Sequence, residues 1–431
     1  MTVRKKLTPA LGRIVPRVID ELRGAFDALL PECEDTWIQI NPNELFTRLI
    51  ALATSRVMAG DVLRRNEQWL NIASSYTKNI GITVVLLRPF PAYLRPLVAL
   101  FLPSVQQMKK QLRFAKDLFA PMVHERRQAA LANDPDYTSP DDFLQWMIDL
   151  GEEQGETLDP ELLAHHMLLL VTLAVVHTST MALCHNIYDL IIMPEYLEPL
   201  REEMKRTLPD GWYKGTQAAL VEQHRLDSFM RESQRFGPPG ECELFYLSLQ
   251  EEVGNVVISA NHLLFIVSVH RIVKEPVTLH DGLTLPVETH ICFAAGPISR
   301  DMDFLPDAET FDGFRWCRKP EDRYALSPEL AASAATPSGD KKEKENTEKA
   351  VTSPASFVTI SATNMHFGFG RQACPGRFFA ANTLKAIMSR IILDYDFKLA
   401  GDERPANIHV GEHILPNLNS HVLFRKRAIG I

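Results

Sequence analysis

Apolar residues recur at helical spacing through most of the first half of the chain. In residues 7–30 they fall every three or four positions, which predicts an amphipathic helix. The same spacing predicts helices over residues 104–131 and from Ser139 to Leu150. The longest predicted helix covers residues 159–192, and its nearly all-apolar centre indicates that it is buried on every side. The pattern therefore indicates a helical protein with this long helix in its core.

Signals for β structure are short and lie in the second half of the chain. Asp281-Gly282 is a hairpin turn signal between two short apolar runs. Residues 267–271 read as a strand, and residues 395–399 and 422–424 predict a closing β pair. We therefore expect a chain that is mainly α with small β sheets (α+β); its length alone would allow two or three domains or one large one.

Two segments do not fit this pattern. Residues 241–266 form an atypical apolar insertion without clean alternation. It is either a translated intron or a surface loop, although surface loops are usually polar. Residues 327–356 are rich in Ala, Ser, Lys and Glu, which predicts a disordered linker.

Composition narrows the function classes. The chain has 431 residues, of which 45% are hydrophobic, and a net charge of −8, so it does not resemble a nucleic-acid binder. Its six cysteines are scattered without a C-x-x-C pair, which excludes a disulfide framework or zinc site and fits a reducing compartment. The basic start Met1–Leu11 is neither a signal peptide nor a membrane anchor, and the apolar run Leu168–Val176 is too short to span a bilayer. We expect a soluble chain.

The chain's most distinctive stretch is a glycine-rich loop that carries Cys374. Gly368, Gly370 and Gly376 permit backbone conformations and close approaches that a side chain would forbid. Pro375 suits the first position of a helix, and residues from Arg377 onward have helical apolar spacing. Cys374 would then lie where a helix N-terminus favours a negative sulfur, as axial haem ligation requires. A lone buried cysteine is more often an inert small hydrophobe.

The full loop decides between these readings. Phe367, Gly370, Cys374 and Gly376 match F-x-x-G-x-x-x-C-x-G, so the loop resembles the haem-binding signature of the cytochrome P-450 family. The ending C-P-G-R-F-F-A is similar to the branch common in fungal secondary metabolism. The resemblance implies a b-type haem with Cys374 as the axial thiolate ligand of its iron.

Polar residues within the long apolar helix form a second candidate site. His177, Thr178 and Ser179 interrupt the apolar run, and buried polar groups need partners. One account has the two hydroxyls bonding back to the preceding turn. The other is proton delivery to an oxygen ligand, because the spot resembles the family's oxygen-activation motif. Thr178 matches the motif's threonine, and His177 stands where many members carry an acid.

Two further motifs agree with the resemblance. Glu232 and Arg235 lie three apart on one predicted helix and are therefore neighbours on its face. In the family this pair meets an arginine from a later loop, and Arg315 matches that arginine. The three would form a buried network that locks the haem-side core.

The resemblance also implies contacts to the haem propionates. Arg271, Arg371 and Gln372 match positions that reach them, with Arg377 on the other side of the cysteine. Relatives often carry His or Arg at the position of Gln372. Glutamine has no charge, so the grip on the haem is expected to be weaker here.

The resemblance implies one partial cytochrome P-450 haem domain over residues 1–431. The implied enzyme is a haem-thiolate monooxygenase that oxidises an apolar small molecule with O₂. Its partners would be NADPH–cytochrome P-450 reductase and cytochrome b5, and the chain is expected to be a monomer. Full-length relatives have a membrane anchor at the endoplasmic reticulum, a first sheet and first helices; this sequence has none of these, which indicates an N-terminal truncation. Two alternatives stay open: a non-catalytic product that fails to load haem, and a haem-thiolate isomerase or peroxide-using enzyme.

Overall fold

A computed structural model describes most of the chain. The described residues are 1–30, 33–91, 93–132, 137–238, 242–243, 266–317, 356–401, 403–410 and 413–427. The predicted insertion at 241–266 and the predicted linker at 327–356 lie outside them, apart from residues 242–243, 266 and 356.

Helices dominate the N-terminal half, as the apolar spacing predicted. They are α1 (Leu11–Leu29), α2 (Pro42–Arg64), α3 (Glu67–Leu87), α4 (Arg95–Ala99), α5 (Pro103–Leu131) and α6 (Phe143–Glu153). A short π-helical turn, Val3–Leu7, precedes them. The apolar face of α1 is buried against α2, and α2 starts where the Asn41 side chain accepts the N–H groups of Asn43 and Glu44.

The long central helix runs from Pro160 to Ile192 in three parts. These are α7 (Pro160–Leu169), a π-helical segment (Leu170–Val176) and α8 (His177–Ile192). By length and composition alone, the whole helix Pro160–Ile192, which contains the shorter apolar run Leu168–Val176, could cross a membrane. More than half of its apolar window is buried inside the protein, so its packing is that of a core helix.

The remaining helices follow the central helix in sequence. They are α9 (Leu197–Thr207), α10 (Gln217–Val221), α11 (His224–Phe236), α12 (Ala295–Ser299) and α13 (Arg377–Asp394). The buried carboxylate of Glu203 in α9 accepts the N–H groups of Arg225 and Leu226, so a remote side chain caps the start of α11. α13 packs against α1, α8, α9 and α10.

The strands form small antiparallel sheets at the edges of the helical body. They are β1 (Ile38–Ile40), β2 (Cys242–Glu243), β3 (Ile266–Ile272), β4 (Val277–Thr278), β5 (Thr284–Leu285), β6 (His290–Phe293), β7 (Tyr395–Leu399), β8 (Ile408–Val410), β9 (His413–Leu415) and β10 (Val422–Lys426). β10 pairs with both β7 and β1, β3 with β2 and β6, β4 with β5, and β8 with β9. The expected closing pair and the Asp281-Gly282 hairpin are confirmed, and so is the mainly α fold with small sheets.

Candidate functional site

The cysteine loop folds back on itself through backbone hydrogen bonds. The N–H of Cys374 donates to the Phe367 carbonyl at 2.7 Å, which closes the loop around the glycines. Gly368 and Gly370 have φ values of +75° and +66°, a region that side chains other than glycine's rarely enter. The Phe367 ring packs edge-on against Phe357, with 5.2 Å between ring centroids, and anchors the loop to the body.

The helix after the cysteine starts later than the sequence predicted. We expected Pro375 at the first helical position, but α13 begins at Arg377, and Pro375 lies in a turn two residues earlier. The helix's first carbonyl is that of Gly376, which accepts from the Ala380 N–H at 2.9 Å. The tight turn that delivers the cysteine therefore outweighs the preference of proline for a helix start.

The electrostatics of the sulfur combine opposing effects. Burial raises the pKa of the Cys374 thiol, while backbone hydrogen bonds from Gly376 and Arg377 and the charge of the Arg377 guanidinium lower it. Burial has the largest effect, so the backbone N–H groups and the guanidinium do not by themselves keep the sulfur ionised. This differs from the expectation that the helix N-terminus alone would favour a thiolate. A metal ion on the sulfur would supply the missing positive charge, because a coordinating thiol is deprotonated outright.

The loop borders open space. A Cβ atom placed at Gly370 or Gly376 would meet no other atom within 4 Å. Phe369, between the two positive-φ glycines, is 39% exposed. Such an apolar, open border suits a flat ligand lying against the loop.

The predicted propionate ligands are spread around the same loop. Arg271 reaches it from β3, because its Nη2 lies 3.5 Å from the Phe369 carbonyl oxygen. Arg371 and Gln372 are both exposed in a short 3₁₀ turn, and the Arg371 carbonyl accepts from the Arg4 guanidinium. Arg377 instead donates to the Cys374 carbonyl at 2.9 Å, so its guanidinium holds the loop backbone.

The central helix leaves one stripe uncovered. Leu173, Ala174 and Thr178 are exposed, although most of α8 beyond them is buried. The Thr178 hydroxyl donates to the Ala174 carbonyl at 2.9 Å, which is the back-bonding geometry considered for it above. The stripe is thus apolar except for one hydroxyl, as a site for an apolar ligand beside a proton donor requires.

His177 is directed away from that stripe, toward α3. Burial lowers the pKa of its imidazole, and the backbone of Ser74 in α3 opposes this in part. Its Nε2 is buried and finds no hydrogen-bond partner among the described residues. The structure therefore does not bring His177 and Thr178 together, although they are adjacent in sequence.

Glu232, Arg235 and Arg315 do come together in a buried cluster. Arg235 Nη2 donates to Glu232 Oε1 at 2.6 Å, and Arg315 Nε lies 3.4 Å from the same oxygen. All three side chains are almost fully buried. Both arginines also donate to loop carbonyls, and they share that of Thr310.

Comparison with known proteins decides the family. A family model described as cytochrome P450 matches residues 1–266 and 262–424 of this sequence. The chain belongs to the cytochrome P-450 family. It is a monooxygenase of that family, related to enzymes of fungal secondary metabolism.

Several fungal relatives align over nearly the whole chain. Cytochrome P-450 monooxygenase penP of Penicillium crustosum is 44% identical over 429 residues, which cover 99% of this chain and 72% of the relative. AtmP of Aspergillus flavus is 44% identical over 99% of the chain and 71% of the relative. The corresponding values for paxP of Penicillium paxilli are 42%, 99% and 72%.

The residues around Cys374 fit the haem that this family holds through a cysteine thiolate. The sulfur lies in a glycine cradle with open space beside it, and nearby N–H dipoles and a guanidinium favour its charged form. Among the described residues there is no group of three or more His, Cys, Asp or Glu side chains that could hold a metal ion. Cys374 alone matches the family's single thiolate ligand, and it is the residue that would hold the iron.

Sequence reasoning missed two hydrogen-bond donors to Glu232. The indole Nε1 of Trp316 donates to Glu232 Oε2 at 3.0 Å, and the Asp312 N–H donates to Oε1 at 3.1 Å. The available signal was position: Trp316 directly follows Arg315, and a partly buried indole N–H usually has an acceptor.

A second buried polar cluster was also missed. Asp189 in α8 accepts from the Ser233 hydroxyl at 2.6 Å and from Arg404 Nε at 2.7 Å. Arg404 Nη2 lies 3.1 Å from Nδ1 of His185. The cluster ties α8 and α11 to the loop before β8. Its only sequence signal was two polar residues, His185 and Asp189, spaced four apart in a core helix.

Proposed function

We propose that this P-450 is a haem-thiolate monooxygenase that uses O₂ and reductase-supplied electrons to oxidise an apolar small molecule. Its substrate would be a terpenoid, polyketide or indole compound in secondary metabolite biosynthesis. The observation that carries the proposal is the half-buried Cys374 sulfur in its glycine cradle, with open space along Gly370 and Gly376. When bound, haem supplies the iron at which O₂ is activated, and its thiolate ligand favours O–O cleavage.

The surrounding residues have separate tasks. Cys374 binds the iron, while Phe367, Gly370 and Gly376 shape the cradle. Arg271, Arg371 and Gln372 would contact the propionates. Their different exposures suggest unequal contributions, since two of them lie in an open turn.

Proton handling is assigned to the central helix. The Thr178 hydroxyl lies on the exposed stripe and can move a proton by turning from the Ala174 carbonyl toward a ligand. His177 lies toward α3 rather than beside Thr178, so we propose it as a separate proton acceptor: burial lowers the pKa of its imidazole, which is therefore neutral at neutral pH. The exposed apolar stripe at Leu173 and Ala174 supports an apolar substrate beside it.

The Glu232 cluster keeps the loop around Arg315 in place. Glu232, Arg235 and Arg315 are buried together, and a buried ion pair of this kind is costly to break. Its role in the reaction is to hold backbone rather than to touch substrate.

The proposed partners follow from the family, whose members generally take electrons from reductases. We assign NADPH–cytochrome P-450 reductase as the electron donor, with cytochrome b5 as a second donor, and a monomeric chain. For the location we propose that of the full-length relatives, which lie at the cytosolic face of the endoplasmic reticulum membrane.

The test is the reduced carbon-monoxide difference spectrum of the full chain, expressed with haem precursor, beside a Cys374→Ala variant. We expect a Soret band red-shifted by thiolate ligation in the wild type, and none in the variant. Absence of the band from both proteins would mean that the chain does not load haem. NADPH-dependent product formation that requires the reductase then separates a monooxygenase from an isomerase or a peroxide-using enzyme.

A further inference from the structure

The π-helical segment Leu170–Val176 lies directly before His177 and Thr178. In a π-helix each N–H reaches five residues back instead of four, so the winding differs from that of the α-helix on either side. Three threonine hydroxyls donate to carbonyls in and around this segment. Thr172 donates to Leu168 at 2.7 Å, Thr77 to Thr172 at 3.0 Å, and Thr178 to Ala174 at 2.9 Å.

Thr77 differs from the other two because it comes from another helix. It lies in α3, three residues after Ser74, whose backbone is next to His177. Residues three apart share a helix face, so one face of α3 contacts both the π segment and the residue that follows it. The neighbouring Tyr76 is buried, which fixes the position of α3 there.

We propose that Thr77 is a positioning residue for Thr178. Its hydroxyl holds the Thr172 carbonyl and stabilises the π winding of residues 170–176. A change from π to α winding would rotate every later residue about the helix axis, and Thr178 is the second residue after the segment. The direction of the Thr178 hydroxyl thus depends on Thr77. The inference rests on the proposed function, in which Thr178 handles protons.

The first test measures the segment itself, by hydrogen–deuterium exchange of peptides spanning residues 170–178 in the holoenzyme. Thr77→Val removes the hydroxyl and keeps the shape, whereas Thr77→Ser keeps the hydroxyl. Loss of one ordinary hydrogen bond should make exchange about fivefold faster in Thr77→Val. Thr77→Ser should resemble the wild type.

The matched control is Thr83→Val, on the same helix, where the lost hydroxyl donates to the Asn79 carbonyl and lies 2.7 Å from Ser104. It should leave exchange in residues 170–178 unchanged. Unchanged exchange in Thr77→Val, or an equal increase in Thr83→Val, would overturn the proposal.

The second test measures coupling as hydrogen peroxide released per NADPH consumed, with 7-ethoxycoumarin as an apolar probe and again without it. Thr77→Val should raise this ratio while its carbon-monoxide spectrum stays unchanged, and Thr77→Ser should restore it. Thr178→Val separates the two claims. A raised ratio in Thr178→Val alone would refute the positioning role and leave the proton role standing. An unchanged ratio in both variants would refute both roles.

Discussion

The indole N–H of Trp316 donates to Glu232 Oε2 at 3.0 Å, the oxygen that also accepts from Arg235 Nε at 3.1 Å. Arg235 Nη2 donates to the other carboxylate oxygen, Oε1, at 2.6 Å. The Asp312 N–H and the Arg315 guanidinium lie on the Oε1 side. Because the carboxylate is completely buried, each of these partners replaces a hydrogen bond that water would otherwise make. Glu232 therefore binds its own protein and has no free oxygen for a substrate.

Replacing the Trp316 indole tests how much its hydrogen bond to Glu232 contributes to stability. Trp316→Phe keeps an aromatic ring beneath the Arg231 guanidinium, which lies 3.9 Å from the ring centroid, and removes only the donor. A hydrogen bond to a charged group contributes about 1.5–3 kcal/mol, and we expect a loss of that size in the free energy of unfolding. Urea titration followed by circular dichroism measures it. A loss below about 0.5 kcal/mol, the usual range of surface changes, would show that the contact is incidental.

Neutralising the carboxylate should cost more. Glu232→Gln leaves the buried Arg235 and Arg315 without a counter-charge, and breaking a buried pair in this way costs about 3–5 kcal/mol. The matched control is Glu198→Gln. Glu198 also pairs with an arginine three residues later, Arg201, but its carboxylate is 67% exposed. Exposed pairs contribute about 0–1 kcal/mol. Equal losses of unfolding free energy in the two variants would contradict the burial argument.

The pH dependence of turnover tests His177. Burial lowers the pKa of this imidazole, so it stays neutral as pH falls to the usual histidine range and takes up a proton only below it. If neutral His177 accepts a proton during the reaction, product formation should fall at pH values below that range. His177→Gln should lower the rate and remove this acid limb from the pH profile. An identical acid limb in wild type and variant would assign it to another group.

Local sequence signals predicted those elements whose conformation depends mainly on their own residues. The apolar spacing of α1, the turn at Asp281-Gly282 and the cysteine signature are examples. The three-residue strand β1 was not predicted, because its pairing with β10 depends on residues nearly 400 positions away. The π winding of residues 170–176 was missed because an apolar run looks the same in either helix.

Long-range polar contacts were the least predictable part of the site. Glu232 and Arg235 are three apart and were paired from sequence, whereas Asp189 and Arg404 are 215 residues apart. Nothing local to either residue indicates the other. The start of α13 shows the converse: Pro375 carries a strong local signal for a first helical position, yet the closed cysteine loop overrides it.

The second buried cluster leads to a prediction about acid stability. His185 is 1% exposed, and burial together with the charge of Arg404 lowers its pKa to about 3. Arg404 Nη2 can only donate, so Nδ1 of His185 must accept and the folded imidazole is neutral. In the unfolded chain this histidine has its ordinary pKa, about 6.5.

The direction of the effect on stability follows from whether His185 binds a proton in the folded and in the unfolded chain. Between pH 6.5 and 3 the unfolded chain binds a proton at His185 that the folded chain does not, so this group lowers stability as pH falls through that window. Above pH 6.5 it has no effect. From pH 7 to pH 5 the contribution is about 2 kcal/mol, because the folded imidazole stays neutral throughout and only the unfolded state titrates.

His185→Asn removes the titration, and the measured quantity is the difference in unfolding free energy between pH 7 and pH 5. The packing energy lost in the variant is the same at both pH values, so it cancels in this difference. We expect the variant to lose about 2 kcal/mol less than the wild type over this range. The control is His224→Asn, which replaces a solvent-exposed histidine in the same way and shows what the His-to-Asn substitution does where no burial is lost. If His185→Asn kept the wild-type pH dependence, the imidazole would be titrating in the folded protein, and Arg404 could not be donating to it.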